Sequence, residues 1–180
     1  VDLGIRPPKG GIEKDVRRGK DDKCIEIIMF HGDFEYNAQN NTEIDAICKI
    51  LTTKLLEQIR EKESGVYSIG AYPATNNKPT GRYGVQIFYS CDPAREPELK
   101  EKIFGVIKSI QKGDISDDEI AKVIEKKKRE HETEVKENRY WRNLIVDLVE
   151  GDITPEEANG EDARINGINK AQMTKAAEKY

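Results

Sequence analysis

The sequence predicts an α+β domain in which a largely antiparallel sheet packs against helices on one face. Two kinds of pattern support this. Short apolar runs rich in β-branched and aromatic residues occupy residues 24–31, 66–72 and 82–91. Beyond residue 91, apolar residues recur at three- and four-residue steps, the spacing of amphipathic helices. The resulting order of strand, helix, strand, strand and then several helices is typical of the α+β class.

The first strand and the first helix are predicted from "CIEIIMFHG" and from the residues that follow it. The apolar run indicates a strand with at least one buried face. Thr42 is the predicted N-cap of the helix, with Asp45 at the capping-box position. We expect the helix to cover residues 42–62 and to end at Gly65. Its apolar stripe consists of Ile44, Ile47, Cys48, Leu51, Leu55 and Ile59.

A hairpin is predicted from "VYSIGAYP", the polar turn "ATNNKPTG" and "RYGVQIFYSC". The third segment alternates between an apolar set and a small or polar set, as a half-buried strand does. The apolar set is Tyr83, Val85, Ile87, Tyr89 and Cys91. From Gly70, Gly84, Gln86 and Ser90 we expect a polar face that is open to solvent or covered by something outside this chain.

The rest of the sequence predicts helices packed on the same sheet face. One helix is expected at residues 97–112, and Ser116 with Glu119 forms a capping box for the next. A later apolar stripe consists of Trp141, Leu144, Ile145, Leu148 and Val149. The other boundary signals are Gly113, Gly151, Thr154 followed by Pro155, and Asn169.

Two regions follow from composition. Residues 1–22 are rich in Pro, Gly and charge, so they are interpreted as a linker or arm. Residues 23–180 form the α+β domain. Because the chain starts without Met and stops within an apparent helix, we expect it to be an excised piece, truncated at its C-terminus.

Composition also bounds the classes of partner. The 180 residues have a net charge of -4 with both signs interspersed, which argues against nucleic-acid binding. No apolar run approaches the roughly 20 residues that span a bilayer, so no membrane partner is expected. Cys24, Cys48 and Cys91 have no CxxC spacing and are interpreted as small buried hydrophobic residues.

The sequence offers no metal site of its own. Its two histidines, His31 and His131, lie far apart, and neither HExxH nor HxxEH occurs. His131 is interpreted as a solvated helix residue and His31 as structural. The charged run at residues 125–132 is interpreted as an exposed helix face with paired charges.

Arg60 and Tyr67 are the candidate functional residues. They lie seven positions apart across the expected helix-to-strand corner. Arg60 near a helix C-terminus is favoured by the helix dipole, and Tyr67 is a good strand former. On spacing alone, the structural interpretation is preferred to a site.

Longer motifs add a family resemblance. "LLEQIREKESGVYSIGAYP", "GVQIFYSCDP" and "GDISDDEI" resemble the C-terminal half of insulinase/pitrilysin-type peptidases, the zinc proteases with an inverted HxxEH motif. The N-terminal "DLGIRPPKGGIEKDVRRGKDDK" is similar to the stretch preceding this domain in large bacterial members. The resemblance covers nearly the whole chain.

The resemblance implies a domain of the LuxS/mitochondrial-processing-peptidase-like type, one of four that enclose a chamber. Zinc and the general base would come from the N-terminal half of the same protein, so this chain holds no cofactor and is not expected to be catalytic alone. The implied setting is periplasmic. The family places an Arg and a Tyr seven residues apart on the chamber wall against the substrate backbone, which assigns peptide-substrate binding to Arg60 and Tyr67.

Two functions follow from this resemblance. The first is the peptide-binding, non-metal domain of a zinc-dependent endopeptidase. The alternative is a domain of a catalytically inactive homologue that acts as an assembly or peptide-presenting subunit. An HxxEH motif in the N-terminal half would distinguish them.

Overall fold

The computed structural model describes residues 3–20, 22–60 and 66–180. Within these ranges three strands form one sheet in the order β1-β3-β2, and both strand pairs are antiparallel. The strands are β1 (Cys24–Asp33), β2 (Val66–Asn76) and β3 (Arg82–Cys91). The predicted fold class and the predicted hairpin are confirmed.

Helices account for most of the remaining described residues. They are α1 (Ala38–Leu55), α2 (Glu96–Gln111), α3 (Asp117–Glu134), α4 (Asn138–Glu150), α5 (Pro155–Asn159), α6 (Glu161–Asn166) and α7 (Lys170–Lys179). A π-helical turn, Leu56–Arg60, extends α1, and a 3-10 turn, Pro93–Arg95, precedes α2. The short helix α6 was not predicted, because its six residues are too few to show a periodic pattern.

The core lies between the sheet and the helix layer formed by α1, α2, α3 and α7. The predicted alternation in β3 is confirmed, because its apolar residues face this layer. The innermost side chains of the helices come mainly from α1 and α2. These core residues are Ile44, Ile47, Ile50, Leu51, Leu55, Leu99, Ile103, Val106, Ile110, Val85, Ile87, Tyr89 and Cys91.

The start of α1 differs from the prediction. The N-cap is Asn37, whose side chain accepts a hydrogen bond from the Asn40 backbone N–H at 2.7 Å. Thr42 lies inside the helix, and its hydroxyl donates to the Ala38 carbonyl oxygen at 2.9 Å. The capping prediction at Thr42 was wrong because the helix starts four residues earlier, at Ala38. The residues before Ile44 are mostly polar, so they do not show the apolar periodicity that marks a helix.

The other predicted boundary signals are confirmed where the structure describes them. Ser116 and Glu119 form a complete capping box, and Thr154 forms a second one with Glu157. Asn169 caps α7, accepting from the Gln172 backbone N–H at 3.0 Å. Predicted residues 61–65, including the stop at Gly65, lie outside the described residues.

Two strands and one helix shift slightly from their predicted bounds. β1 continues to Asp33 and β2 continues to Asn76, so the hairpin turn is shorter than the polar segment that predicted it. α2 runs from Glu96 to Gln111, within one residue of the prediction at either end. Strand pairing with β3 explains the longer β2, since Asn76 lies opposite Arg82.

Residues 3–20 are exposed and have no helix or strand. They nevertheless contact the domain through Arg6 and Glu13. The Arg6 guanidinium donates to the Thr80 hydroxyl at 3.1 Å, and Glu13 pairs with the Lys100 ammonium at 2.5 Å. The division of the chain at residue 22 stays a prediction.

Helix α4 has the predicted apolar stripe and ends at Gly151, whose φ is 73°. The described residues cover this stripe only in part, because Leu144 and Leu148 are half-buried whereas Trp141, Ile145 and Val149 are exposed. Polar contacts hold the end of α4 instead, with the Lys78 ammonium 2.9 Å from both Glu150 and Asp152. In the described ranges, no helix has both the length and the apolar character needed to cross a membrane.

Candidate functional site

Arg60 is the last residue of the π-helical turn that follows α1. A π-helical turn inserts an extra residue into the helical repeat and shifts the side chains beyond it. Ile59 remains in the core, whereas Arg60 is exposed at the end of the turn. The guanidinium therefore lies at the surface, immediately before residues 61–65.

Tyr67 lies at the start of β2, in an irregularity of the sheet. Val66 pairs with Cys91 and Ser68 pairs with the preceding residue, Ser90, so Tyr67 is the extra residue of a β-bulge. A bulge changes the direction in which a strand presents its side chains. Val66 is buried, whereas the Tyr67 side chain is 66% exposed.

The two candidate side chains lie at the same helix-to-strand corner, and both are exposed to solvent. They flank residues 61–65 from either side. In the described parts of the chain, neither has a hydrogen-bond or ion-pair partner. An arginine fork and a phenol are donors suited to peptide carbonyl oxygens. As far as the described residues go, the corner therefore presents two donors without partners.

The helix-free side of the sheet adjoins this corner, and we call it the open face. It is lined by Ile25, Ile27, Met29, Tyr72 and Phe88, of which all but Phe88 are exposed large apolar side chains. The expected small and polar residues are also there, and the Ser68 and Ser90 hydroxyls lie 3.1 Å apart. The prediction of a polar face was nevertheless incomplete, because β1 contributes a row of apolar side chains.

The histidines do not assemble a metal site. Across the described residues, no group of three or more His, Cys, Asp and Glu side chains is placed to hold a metal ion. His131 is not the solvated residue that was expected. Its ring packs edge-on against Tyr140 at 5.7 Å, and its Nδ1 lies 3.3 Å from a Glu161 carboxylate oxygen. The described side chains therefore do not fit a zinc site.

Among the described residues, the charged side chain of Lys54 is buried within the helix layer. Lys54 is 5% exposed, and its ammonium lies 3.0 Å from the Glu119 carboxylate. Burial opposes ionisation of Glu119, but the Ser116 backbone N–H and Lys54 together outweigh it and lower the pKa of that carboxyl. This pair ties α1 to the start of α3, so its role is structural.

Sequence reasoning missed two groups of residues. The first is the exposed apolar row on β1. It could not be predicted because "CIEIIMF" is apolar at nearly every position, so the sequence does not show which face of the strand is covered. The second group is Cys24 and Cys91, which lie directly opposite each other in the sheet. Only the strand register, which joins distant parts of the chain, could have revealed that pair.

Comparison with known proteins shows the family of this chain. Residues 4–127 match the family described as the peptidase M16 inactive domain. This match covers well over half of the chain. The chain belongs to the peptidase M16 family. The predicted relationship to insulinase-type metallopeptidases is thereby confirmed.

Individual relatives agree with this membership. The M16 domain is 29% identical, over 124 residues, to a zinc protease PQQL-like protein of Arabidopsis thaliana. Its fold matches the periplasmic protease PqqL of Escherichia coli with a TM-score of 0.75 and 19% identity over 90% of this chain. It also matches the ferredoxin protease FusC, crystallised with Arabidopsis ferredoxin, with a TM-score of 0.71 and 11% identity over 87% of this chain.

The relatives are much longer than the M16 domain described here. The chain spans 13% of the Arabidopsis protein, 18% of PqqL and 17% of FusC. At these identities the two solved structures establish the fold alone. The activity of the whole protein is therefore a separate question from the family of this domain.

Proposed function

We propose that this chain is the peptide-binding, non-metal domain of a zinc-dependent endopeptidase. In this proposal the zinc ion and the general base come from the N-terminal half of the same protein. Membership of the inactive-domain family and the zinc-protease relative both support it. A periplasmic setting, as in PqqL, stays a prediction.

The observation that carries the proposal is the exposed pair at the corner. Arg60 and Tyr67 are both at the surface, and no described residue uses their donors. A purely structural corner would bury the phenol or pair the guanidinium. Their positions next to the open face suit the binding of an extended peptide, whose carbonyl oxygens need donors.

In this role the two residues act differently. The Arg60 guanidinium holds substrate carbonyl oxygens by directed hydrogen bonds. The Tyr67 hydroxyl lies at the strand end, where it can donate to a carbonyl oxygen that gains charge during cleavage. The apolar side chains of the open face would contact the side chains of the bound peptide.

The test uses the full-length protein and two variants, Arg60→Ala and Tyr67→Phe. Tyr67→Phe retains the ring and removes only the hydroxyl. If Tyr67 donates to developing charge, kcat should fall on the order of 10²–10³-fold with zinc content and melting temperature unchanged. If Arg60 contributes only substrate binding, KM should rise with kcat intact.

Two matched control variants test whether the loss of any exposed guanidinium or any phenol hydroxyl lowers activity. Arg142→Ala removes an exposed guanidinium on α4, and Tyr140→Phe removes a phenol that donates to Glu161 at 3.3 Å. Both should leave kcat/KM at the wild-type value. Wild-type kinetics in Arg60→Ala and Tyr67→Phe would overturn the assignment of this pair.

A further inference from the structure

We propose that Cys24 and Cys91 form a reversible disulfide, which makes the end of the sheet a thiol-modification site. Cys24 is the first residue of β1, and Cys91 is the last residue of β3. The two are direct antiparallel partners, so their side chains lie on the same face of the sheet. This inference is independent of the proposed peptidase function.

The strand geometry suits the bond. Opposite residues of antiparallel strands have Cα atoms about 4.5–5.5 Å apart. A disulfide needs about 4.4–6.8 Å between Cα atoms, so the usual spacing of paired antiparallel residues lies within the range that the bond tolerates. Each thiol is close enough to the other to affect its pKa.

The surroundings give the two sulfurs different accessibility. Cys91 is fully buried, with 0% exposure, whereas Cys24 is half-buried. Burial and the nearby Glu26 raise the pKa of the Cys24 thiol, and burial together with Cys24 raises the pKa of Cys91 to about 11. Both thiols are therefore largely protonated at neutral pH, which makes exchange slow, and it starts at Cys24 because that sulfur is the more accessible.

The oxidant is a disulfide, RSSR, of the glutathione type or on a disulfide-exchange protein. Cys24 loses its proton and attacks one sulfur of RSSR, which forms a mixed disulfide and releases one RSH. Cys91 then loses its proton, attacks the Cys24 sulfur and releases the second RSH. Two protein thiols are oxidised, and one RSSR is reduced to two RSH.

The cross-link joins an edge strand to the central strand at a defined place. Val66 also pairs with Cys91, and the bulge at Tyr67 follows directly. The disulfide therefore fixes the sheet end that borders the candidate corner. Because it closes a long segment of chain, it also restricts the unfolded state, and the melting temperature should rise by about 5–10 °C.

The third cysteine provides an internal control. Cys48 is 1% exposed in α1, and burial raises the pKa of its thiol to about 12. It lies in a helix and is not part of the strand pairing that places Cys24 opposite Cys91, so it should stay reduced. Its alkylation after denaturation marks the thiol that did not react.

The experiment equilibrates the chain with glutathione and glutathione disulfide and then counts thiols by alkylation in denaturant. Wild type should lose two of its three alkylatable thiols in oxidising mixtures. Digestion with trypsin and Glu-C separates Cys24 from Cys48, because Glu26 and Glu43 lie between them. Mass spectrometry should then identify a linked peptide pair containing Cys24 and Cys91.

The variants make the result decisive. Cys48→Ala should still form the link and show the rise in melting temperature. Cys24→Ser should show neither, and Cys91→Ser is the reciprocal variant. Three alkylatable thiols in oxidised wild type, or a stable glutathione adduct on Cys24 without a link to Cys91, would overturn the proposal.

Discussion

On the helix-facing side of the sheet, Ile87 of β3 is completely buried, whereas Ile27 of β1, on the open face, is 54% exposed. The two residues are chemically identical and belong to adjacent strands. The difference is that α1 and α2 cover the first face, and no described part of this chain covers the second. Exposed apolar surface of this kind marks sites of interaction. Residues such as Ile87 therefore stabilise the fold of this domain, whereas residues such as Ile27 are available to bind a partner.

The largest expected effect tests the covered face. Ile87→Ala should lower the free energy of unfolding by about 2–5 kcal/mol, because it removes buried apolar contacts and leaves a cavity. Ile27→Ala is the matched control and should cost less than about 1 kcal/mol, since its side chain is already largely hydrated. Urea denaturation of both variants measures the difference. Equal losses in the two variants would show that the open face is covered in solution.

An intermediate effect is expected from the buried charge within the helix layer. Glu119→Gln should lower the free energy of unfolding at pH 7 by about 1–3 kcal/mol, because it leaves the Lys54 ammonium without its 3.0 Å partner carboxylate. The exposed Asp114, 3.5 Å from Lys54, compensates only in part. Chemical denaturation at pH 7 measures this loss.

The same pair predicts a pH dependence. The pKa of Glu119 is lowered from its ordinary 4.5 in the folded state, so its stabilising contribution is complete above that value. It is lost as the pH falls below 4.5 through the folded-state pKa. Wild type should therefore lose more stability than Glu119→Gln over this acidic range, and parallel stability curves would contradict the assignment.

The smallest effect on stability is expected when the open face is made polar. The triple variant Ile25→Thr, Ile27→Thr and Met29→Thr should change the free energy of unfolding by less than about 0.5 kcal/mol per site. It should also reduce binding of the dye ANS, which reports exposed apolar surface. Val16→Thr, an exposed apolar position in the N-terminal arm, should leave dye binding unchanged. A dye signal unaffected by the triple variant would place the apolar binding surface elsewhere, for example on α4.

The sequence predicted those parts of the fold that depend on local patterns. The alternation in β3 identified its covered face, because burial on one side leaves a period of two. The capping box at Ser116 and the stop at Gly151 were found because each depends on residues within one helical turn. Local signals were misleading at Thr42, where Asn37 satisfies the helix terminus first, and in the polar turn, part of which continues β2.

The features missed from sequence depend on distant partners. Whether the apolar residues of β1 are covered depends on the helices that pack on the sheet, and "CIEIIMF" is apolar on both sides. The pairing of Cys24 with Cys91 depends on a register between strands that are far apart in sequence. Arg60 and Tyr67 were selected by family resemblance, since their spacing alone is equally compatible with a simple corner.

The arrangement of the three strands also bears on the risk of edge-to-edge aggregation. With β3 in the centre, the outer edges of β1 and β2 have no neighbouring strand among the described residues. Such edges invite edge-to-edge aggregation unless the chain opposes it. β2 contains Pro73 and a bulge, both of which interrupt regular pairing. β1 contains the charged Glu26, half-buried toward the helices and 3.5 Å from the Lys100 ammonium, which disfavours a continuous intermolecular sheet. The domain therefore combines an exposed apolar face with strand edges whose features disfavour edge-to-edge pairing.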